Sequence, residues 1–194
     1  MRIIAGIRKG QKLSTLPGQN TRPTADYVRE AIFSMIFDCE DMRVLDLFSG
    51  SGVMGFEALS RGAESLEIVE SVDKAVKVVL KNIGALRFEN EIMVHHKKAD
   101  TFIKTTLNKY DLIFVDPPYN KGFVNTTLEA IYEYELLDED GTIVVEHSDQ
   151  EKIRDDFQPF IEKQKKYGNT LVTMLNSPHQ NETVEIEDED ASDI

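Results

Sequence analysis

The sequence predicts an α/β fold with a mostly parallel sheet, helices on both of its faces and an antiparallel hairpin at one edge. From residue 43 onward, apolar runs of strand length alternate with segments in which apolar residues recur at helical spacing. A glycine-rich loop follows the first run, and the turn dipeptide Gly168-Asn169 separates the last two. The 194 residues are enough for one such domain with a full core and too few for two.

The predicted elements follow one another along the chain. Residues 1–16 contain short β-type runs, which indicate a hairpin or an extended arm, and apolar residues at helical spacing indicate a first helix from Thr24 to about Phe37. Strands are predicted at Arg43–Leu47, Ser65–Glu70, Ile92–His95, Asp111–Val115, Thr142–Glu146, Glu162–Tyr167 and Thr170–Leu175. The other helices are predicted at Val53–Arg61, Val72–Leu86, a short segment after Asp100, Val124–Tyr134 and Gln150–Phe157. In such a fold, ligands bind at the carboxyl ends of the parallel strands.

Charge is distributed unevenly, although the formal net charge of −13 would by itself argue against a nucleic-acid partner. The first 25 residues contain five basic side chains and no acidic one, whereas residues 182–194 contain seven acidic side chains and no basic one. We therefore predict three segments: a basic N-terminal arm over residues 1–22, the α/β domain over residues 23–175, and an acidic, disordered tail over residues 176–194.

The same sequence predicts a cytoplasmic protein with no membrane partner and no metal site. No apolar stretch approaches the about 20 residues that span a bilayer, and the N-terminus lacks the apolar core of a signal peptide. The single cysteine, Cys39, cannot form an intramolecular disulfide. His95 and His96 lack a third nearby ligand, so they are interpreted as surface or packing residues.

The loop after the first strand resembles a dinucleotide-binding signature but contains one feature against it. In VLDLFSGSGVMGFEA, residues 44–58, Gly50, Gly52 and Gly55 form the pattern G-x-G-x-x-G, and Glu70 follows twenty positions after Gly50. Asp46 precedes the first glycine by four residues, where its carboxylate would repel a pyrophosphate. The loop therefore favours a ligand that carries positive charge.

Three acidic residues lie at or just after the ends of three successive predicted strands around this loop. Asp46 would attract a cationic ligand, Glu70 would accept hydrogen bonds from two ribose hydroxyls, and Asp100 would accept one from an adenine amino group. The glycines let the backbone approach the ligand and leave N–H groups at the helix start free for a carboxylate. Together, these features describe S-adenosylmethionine better than a nicotinamide dinucleotide.

The second motif is Asp116-Pro117-Pro118-Tyr119, at the end of the fourth apolar strand. The two prolines hold a rigid turn and remove two backbone donors, which leaves carbonyl oxygens free to accept hydrogen bonds. The Asp116 carboxylate and the Pro117 carbonyl would hold an exocyclic base amine and stabilise the positive charge that develops as it attacks a methyl group. Tyr119 would provide a ring on which an extruded base stacks.

These motifs identify a family resemblance that runs from Met1 to about Leu175. MRIIAG, TRPTADYVREAIF, VLDLFSGSGVMGFEALSRGA, IVE and IFVDPPY occur in the order typical of the RsmD family of small-subunit ribosomal RNA guanine-N2 methyltransferases, which the chain resembles. The resemblance implies a class I, Rossmann-like methyltransferase fold and S-adenosylmethionine as methyl donor. It also implies a guanine of 16S rRNA, free or in an assembling small ribosomal subunit, as the target.

The site residues predicted on these grounds fall into three groups. The catalytic residues are Asp116, Pro117, Pro118 and Tyr119. The cofactor-binding residues are Asp46, Phe48, Gly50, Gly52, Glu70, Ser71, Asp100 and Thr101. The RNA-binding residues, which belong to the basic arm, are Arg8, Lys9, Lys12 and Arg22. Glu146 ends the predicted fifth strand, and the sequence favours a position outside the site for it.

Three alternative functions remain open at the level of the sequence. A DNA adenine-N6 methyltransferase could use the same catalytic motif, but such enzymes typically carry a separate target-recognition domain, for which this chain has no room. A protein-glutamine methyltransferase usually has Asn at the position of Asp116 and has no use for a basic arm. A binding module without catalytic activity would keep the fold and lose the motif, which is intact here.

Overall fold

A seven-stranded sheet forms the centre of the protein. The structure, a computed structural model, describes residues 1–16, 23–36 and 38–178. The strands are β1 (Arg43–Leu47), β2 (Ser65–Glu70), β3 (Ile92–His96), β4 (Tyr110–Val115), β5 (Leu137–Ser148), β6 (Ile161–Tyr167) and β7 (Thr170–Asn176). The helices are α1 (Pro23–Ile36), α2 (Val53–Ser60), α3 (Asp73–Leu86), α4 (Ala99–Ile103) and α5 (Phe123–Glu133).

The order of the strands in the sheet is β3-β2-β1-β4-β5-β7-β6. Strands β1 to β5 pair in parallel, whereas β7 runs antiparallel to both β5 and β6. The hairpin turn lies at Gly168, whose φ of 63° is in the left-handed region. The predicted mostly parallel sheet with an antiparallel edge hairpin is confirmed.

Apolar side chains cover both faces of the sheet because the central strands alternate between two buried layers. In β4, Leu112 and Phe114 face the layer formed with α1, α2 and α3. Ile113 and Val115 face the layer formed with α4 and α5. Because both faces are buried, residues 112–115 of β4 are all apolar, which is typical of a parallel strand inside an α/β sheet.

One predicted helix, Gln150–Phe157, is wrong. The chain forms a 3₁₀ helix over Asp155–Phe160 instead. The carbonyl oxygen of Glu151 lies 2.8 Å from Nδ1 of His147, so that carbonyl is used by a side chain and not by a helical turn. Ile153 and Phe157 are both buried, and their spacing of four residues imitated a helical face.

The N-terminal arm packs against the domain. Arg2 and Lys12 form an antiparallel bridge, a 3₁₀ turn spans Gly6–Arg8, and Ile3 is almost fully buried. Gly6 has a φ of 76°, and a Cβ at this position would lie 1.6 Å from the carbonyl oxygen of Ser60. The contact between the arm and the end of α2 therefore requires glycine at residue 6.

Across the residues that the structure describes, no helix combines the length and the hydropathy needed to cross a membrane.

Candidate active site

A cavity of about 670 Å³ lies at the carboxyl ends of the parallel strands. The loops that follow β1, β2 and β4 form most of its lining, together with residues of the arm, of β5 and of helices α1 to α4. The residues are Met1, Leu16, Arg29, Ile32, Phe48, Ser49, Gly50, Ser51, Val53, Met54, Val69, Glu70, Ser71, Val72, Ala75, Lys97, Ala99, Asp116, Pro117, Pro118, Tyr119 and Glu146. The predicted catalytic motif and much of the predicted cofactor site therefore share one cavity.

The glycine-rich loop forms a tight turn between β1 and α2. The backbone N–H of Gly52 donates to the carbonyl oxygen of Ser49 at 2.8 Å, and Gly52 precedes α2 with a φ of 77°. Any larger residue at 52 would be strained, because its Cβ would also lie 2.7 Å from the ring of Phe56. Phe48 and Gly50 line the cavity, whereas Gly52 lies behind the lining and shapes the loop.

The carboxylate of Glu70 is fixed by three backbone donors. Its Oε2 accepts a hydrogen bond from Gly50 N–H at 2.9 Å, and its Oε1 accepts from Ser71 and Val72 at 2.6 and 2.7 Å. A carboxylate has about four acceptor positions, so one remains for a donor from a ligand. Glu70 thus connects the end of β2 to the glycine loop and faces the cavity.

Asp46 supports the loop from below and does not belong to the cavity lining. Its side chain is 2% exposed, and its Oδ2 accepts a hydrogen bond from Gly55 N–H, in the first turn of α2, at 3.1 Å. Burial raises the pKa of this carboxyl group to about 7, the bond from Gly55 partly opposes the shift, and the charge of Glu70 adds to it. Asp46 therefore sets the position of the helix start.

Asp100 and Thr101 lie outside the cavity. The sequence predicted a short helix after Asp100, whereas helix α4 begins at Ala99. The cavity is lined by Lys97 and Ala99 instead. Asp100 is exposed, and its Oδ1 accepts a bond from the hydroxyl of Thr101 at 3.4 Å. A contact from Asp100 to an adenine stays a prediction, and the cavity lining gives it no support.

The four residues of the catalytic motif all line the cavity where β4 ends. The residue Asp116 is exposed toward the cavity, while the surrounding protein shields its carboxyl group from bulk solvent. Its pKa is raised well above the ordinary value, because burial disfavours the charge and because Glu146 and Asp46 are nearby carboxyl groups. The ring of Tyr119 is 39% exposed, and its hydroxyl donates to Glu146 Oε1 at 2.7 Å.

Glu146 belongs to the cavity, which corrects the position favoured by the sequence. Val115 and Val145 are register neighbours in β4 and β5, so Asp116, just after β4, and Glu146, within β5, follow at neighbouring positions. Burial raises the pKa of Glu146, while the hydrogen bond from Tyr119 opposes the shift. An acidic residue at a strand end beside the catalytic motif was the available signal, since the same reasoning selected Glu70.

The sequence also missed the wall that the arm and α1 contribute. Arg29 is 3% exposed, and its Nη2 donates to the carbonyl oxygen of Arg2 at 2.7 Å. Glu57, fully buried in α2, accepts hydrogen bonds from the backbone N–H groups of Ile4 and Ala5 at 2.8 and 2.9 Å. The arm is therefore fixed to the domain by buried polar groups.

The predicted RNA-binding residues occupy different environments. Nε of Arg8 donates to the carbonyl oxygen of Leu86 at 2.7 Å, and the guanidinium lies 5.2 Å from the centroid of the Phe88 ring. Lys9 and Lys12 are exposed on the arm. Arg22 lies outside the described residues. Of the predicted RNA-binding residues that the structure describes, one cation packs against the domain and two face solvent.

The cavity carries three carboxyl groups, those of Glu70, Asp116 and Glu146, beside the cationic groups of Arg29 and Lys97. Such a lining suits a ligand with localised positive charge next to hydrogen-bond donors. Within residues 1–16, 23–36 and 38–178, no three His, Cys, Asp or Glu side chains are grouped as metal ligands.

The sequence of the chain is similar to those of known proteins. The family described as Conserved hypothetical protein 95 matches residues 1–176. "Putative rRNA methyltransferase YlbH" of Bacillus subtilis is 37% identical over 179 residues, which cover 90% of this chain and 97% of that protein. "Ribosomal RNA small subunit methyltransferase D" of Escherichia coli K12 is 34% identical over 148 residues, which cover 75% of this chain and 74% of that protein.

The fold is also found among solved structures. "Putative methyltransferase yhhF" of Escherichia coli is similar with a TM-score of 0.80 at 28% identity, over 91% of this chain and 97% of that chain. Together with the observed sheet, this likeness confirms the predicted class I, Rossmann-like methyltransferase fold.

Proposed function

The chain belongs to the Conserved hypothetical protein 95 family, and we propose that it transfers a methyl group from S-adenosylmethionine to the exocyclic N2 amine of a guanine in 16S rRNA. The resemblance to the RsmD family is confirmed, and the chain is an enzyme of the methyltransferase kind. Relatives named as methyltransferases of small-subunit ribosomal RNA support the substrate class.

One observation carries the proposal: the catalytic motif and Glu70 face the same cavity. Asp116 and Pro117 line it from the end of β4, and Glu70 lines it from the end of β2. A methyl acceptor held by the motif and a methyl donor held at the glycine loop would therefore meet inside one cavity. Catalysis by proximity requires such an arrangement.

The residues of the cavity fit S-adenosylmethionine, which supplies a methyl group bound to a positively charged sulfur. The volume of about 670 Å³ lies within the range of small-molecule sites, which is about 300–1,000 Å³. Glu70 would accept a hydrogen bond from one ribose hydroxyl, and the backbone of Gly50 and Ser51 would approach the ligand closely. The carboxyl groups of Glu70, Asp116 and Glu146 would favour the positive charge electrostatically, whereas the sequence assigned this role to Asp46, which lies outside the cavity lining.

The chain's own groups would activate the acceptor amine by holding it. The Asp116 carboxylate and the Pro117 carbonyl oxygen each accept one hydrogen of the guanine N2 amine, which directs the nitrogen lone pair at the methyl carbon. The nitrogen forms a bond to that carbon as the sulfur–carbon bond breaks, and N2 then loses one proton. Asp116 is the nearest base for that proton, and its negative charge stabilises the cationic transition state.

Tyr119 would hold the target base in place. Its hydroxyl is bound by Glu146 Oε1 at 2.7 Å and lies 3.1 Å from Oγ1 of Thr170, so the ring has a fixed orientation. Its exposed part offers an aromatic face at the cavity. A base extruded from its RNA stack would lie against this face with its Watson–Crick edge toward Asp116.

RNA would be positioned by local charge, since a protein of net charge −13 repels RNA at long range. Lys9 and Lys12 are exposed on the arm, whose first residue lines the cavity. Contacts from these lysines to phosphates would set the orientation of the RNA without reading its sequence. Arg8 and Arg22, named by the same reasoning, stay predictions for this role.

The test is a transfer reaction with a radiolabelled methyl donor and separate fractions of rRNA, tRNA, DNA and protein. We expect label in 16S rRNA, presented free or in assembling small subunits, and recovery of N2-methylguanosine after digestion. Label confined to DNA, tRNA or protein would contradict the substrate, and a labelled base other than guanine would contradict the position.

A further inference from the structure

We propose that Glu146 accepts the N1 hydrogen of the target guanine and makes the site selective for guanine among bases that carry an exocyclic amine. This inference rests on the proposed function, since it assumes a base amine held by Asp116. It assigns a substrate contact to a residue outside the catalytic motif.

The position of Glu146 supports this contact. Glu146 follows Val145 in β5, Val145 pairs with the last residue of β4, and neighbouring strands lie about 4.8 Å apart. Asp116 and Glu146 both line the cavity, and the Glu146 charge contributes to the raised pKa of Asp116. Two acceptors on adjacent strands therefore face one base edge.

The hydrogen bonds of Glu146 leave one oxygen for a ligand. Oε1 accepts the hydroxyl hydrogen of Tyr119 at 2.7 Å. Among the described residues, Oε2 has no hydrogen-bond partner, although the side chain is largely enclosed. Because Tyr119 fixes Oε1, Oε2 is held in place for a donor that enters the cavity.

The chemistry of the bases identifies that donor. Guanine presents N1–H directly beside its N2 amine, so two neighbouring donor groups meet two neighbouring acceptors. Adenine and cytosine present an unprotonated ring nitrogen beside their amines, and the lone pair of that nitrogen would face the Glu146 carboxylate. A site built to accept a substrate N–H rejects an analogue that lacks it, because a buried polar group is left unpaired.

The experiment replaces the target guanine by 2-aminopurine, which keeps the amine at C2 and has an unprotonated N1. After the wild-type enzyme has labelled a guanine in 16S rRNA, that position is substituted by splint ligation, and the RNA is presented in the same form, free or assembled. Initial rates give kcat/KM on both RNAs for wild type, Glu146→Gln and Glu139→Gln. Glu139 is exposed at the other end of β5, so its variant removes the same charge far from the cavity.

We expect the wild-type enzyme and Glu139→Gln to prefer guanine over 2-aminopurine by about 100-fold or more. In Glu146→Gln the preference should fall at least tenfold, because the amide can donate to the unprotonated N1. The amines of guanine and 2-aminopurine differ in intrinsic reactivity. This difference is the same for every enzyme, so it cancels when the preferences of two enzymes are compared. Methyl-donor affinity, measured by calorimetry, should stay within about threefold of the wild-type value in Glu139→Gln. Any change of donor affinity in Glu146→Gln cancels, because the base preference is a ratio measured on one enzyme.

Equal use of the two bases by the wild type, or an unchanged preference in Glu146→Gln, would overturn the role of Glu146. Should Glu146→Gln fail to fold, Glu146→Asp replaces it: the shorter side chain moves the acceptor away from N1, so the preference should fall, and an unchanged preference would overturn the role. If the wild type labels no guanine in any form of 16S rRNA, the proposed function itself fails, and this outcome is distinct from labelling without base preference.

Discussion

Arg8 donates a hydrogen bond from Nε to the backbone carbonyl oxygen of Leu86 at 2.7 Å, which joins the N-terminal arm to the end of α3. The guanidinium also lies 5.2 Å from the centroid of the Phe88 ring. This cation, one of those predicted to bind RNA, therefore has a structural function as well. Lys9 and Lys12 face solvent and are available for an electrostatic role alone.

Arg8→Ala is expected to lower the free energy of unfolding by about 1–2 kcal/mol, because the carbonyl of Leu86 loses its donor and the ring of Phe88 loses its cation. Urea denaturation measures the change. Lys9→Ala is the matched control and should change stability by less than about 0.5 kcal/mol. Equal stabilities of the two variants would show that the Leu86 contact contributes nothing.

The double variant of Lys9→Ala and Lys12→Ala should weaken rRNA binding without changing the melting temperature. Two phosphate contacts would be lost, so the slope of log affinity against log salt should decrease by about 1.4–1.8. Fluorescence anisotropy at several salt concentrations gives the slope, and methyl-donor affinity serves as the control. An unchanged affinity with an unchanged slope would place the RNA elsewhere on the protein.

Glu57→Ala should destabilise the protein by about 3–5 kcal/mol and weaken methyl-donor binding. The substitution removes the acceptor of the Ile4 and Ala5 N–H groups and the ion-pair partner of Arg61, and the arm contributes Met1 and Leu16 to the cavity wall. Thermal denaturation and calorimetry measure the two effects. The control is Glu64→Ala at an exposed position, and a Glu57 variant that matches it would refute the anchoring role.

Asp116→Ala should reduce turnover on rRNA by about 10²–10³-fold, because the lost interaction strengthens as the amine becomes cationic. Methyl-donor affinity should change much less, since we propose that the donor is held mainly at Glu70 and the glycine loop. Single-turnover rates and calorimetry separate the two quantities. A variant with near-normal turnover, or one whose whole defect lies in donor binding, is incompatible with the mechanism.

Asp46→Asn should stabilise the protein at alkaline pH. The folded pKa of Asp46 is raised from 3.8 to about 7, so its contribution to stability is fully present below about pH 4 and is lost as the pH rises through 7. Asparagine retains an acceptor for Gly55 N–H and carries no charge. Since each pKa unit corresponds to about 1.4 kcal/mol, the gain at about pH 8 is at most about 4 kcal/mol.

Melting temperatures of wild type and Asp46→Asn from about pH 5 to about pH 8 test this dependence. The difference should grow with pH in favour of the variant. A constant difference, or one that favours the wild type at high pH, would mean that Asp46 is not a buried carboxyl with a raised pKa.

The sequence by itself determined those strands and turns that depend only on residues within their own segment. The strand bounds Arg43–Leu47 and Ser65–Glu70 agree with prediction, because apolar runs and flanking turn residues specify a strand without long-range information. The same holds for Asp116–Tyr119, whose prolines fix the turn directly after β4. The Gln150–Phe157 helix failed because a contact with His147, outside the segment, uses its carbonyl groups.

Only the tertiary structure decided which strand ends share the cavity and which side chains reach it. Glu70 ends β2 and Glu146 lies near the carboxyl end of β5, yet their relation to Asp116 depends on the order β2-β1-β4-β5, which pairs residues far apart in the chain. Asp100 turns away because α4 begins at Ala99, and helical rotation moves a side chain about 100° per residue. From the sequence alone the arm is interpreted as a free basic segment. Only the fold brings Ile4 and Ala5 to the buried carboxylate of Glu57, which fixes the arm to the domain.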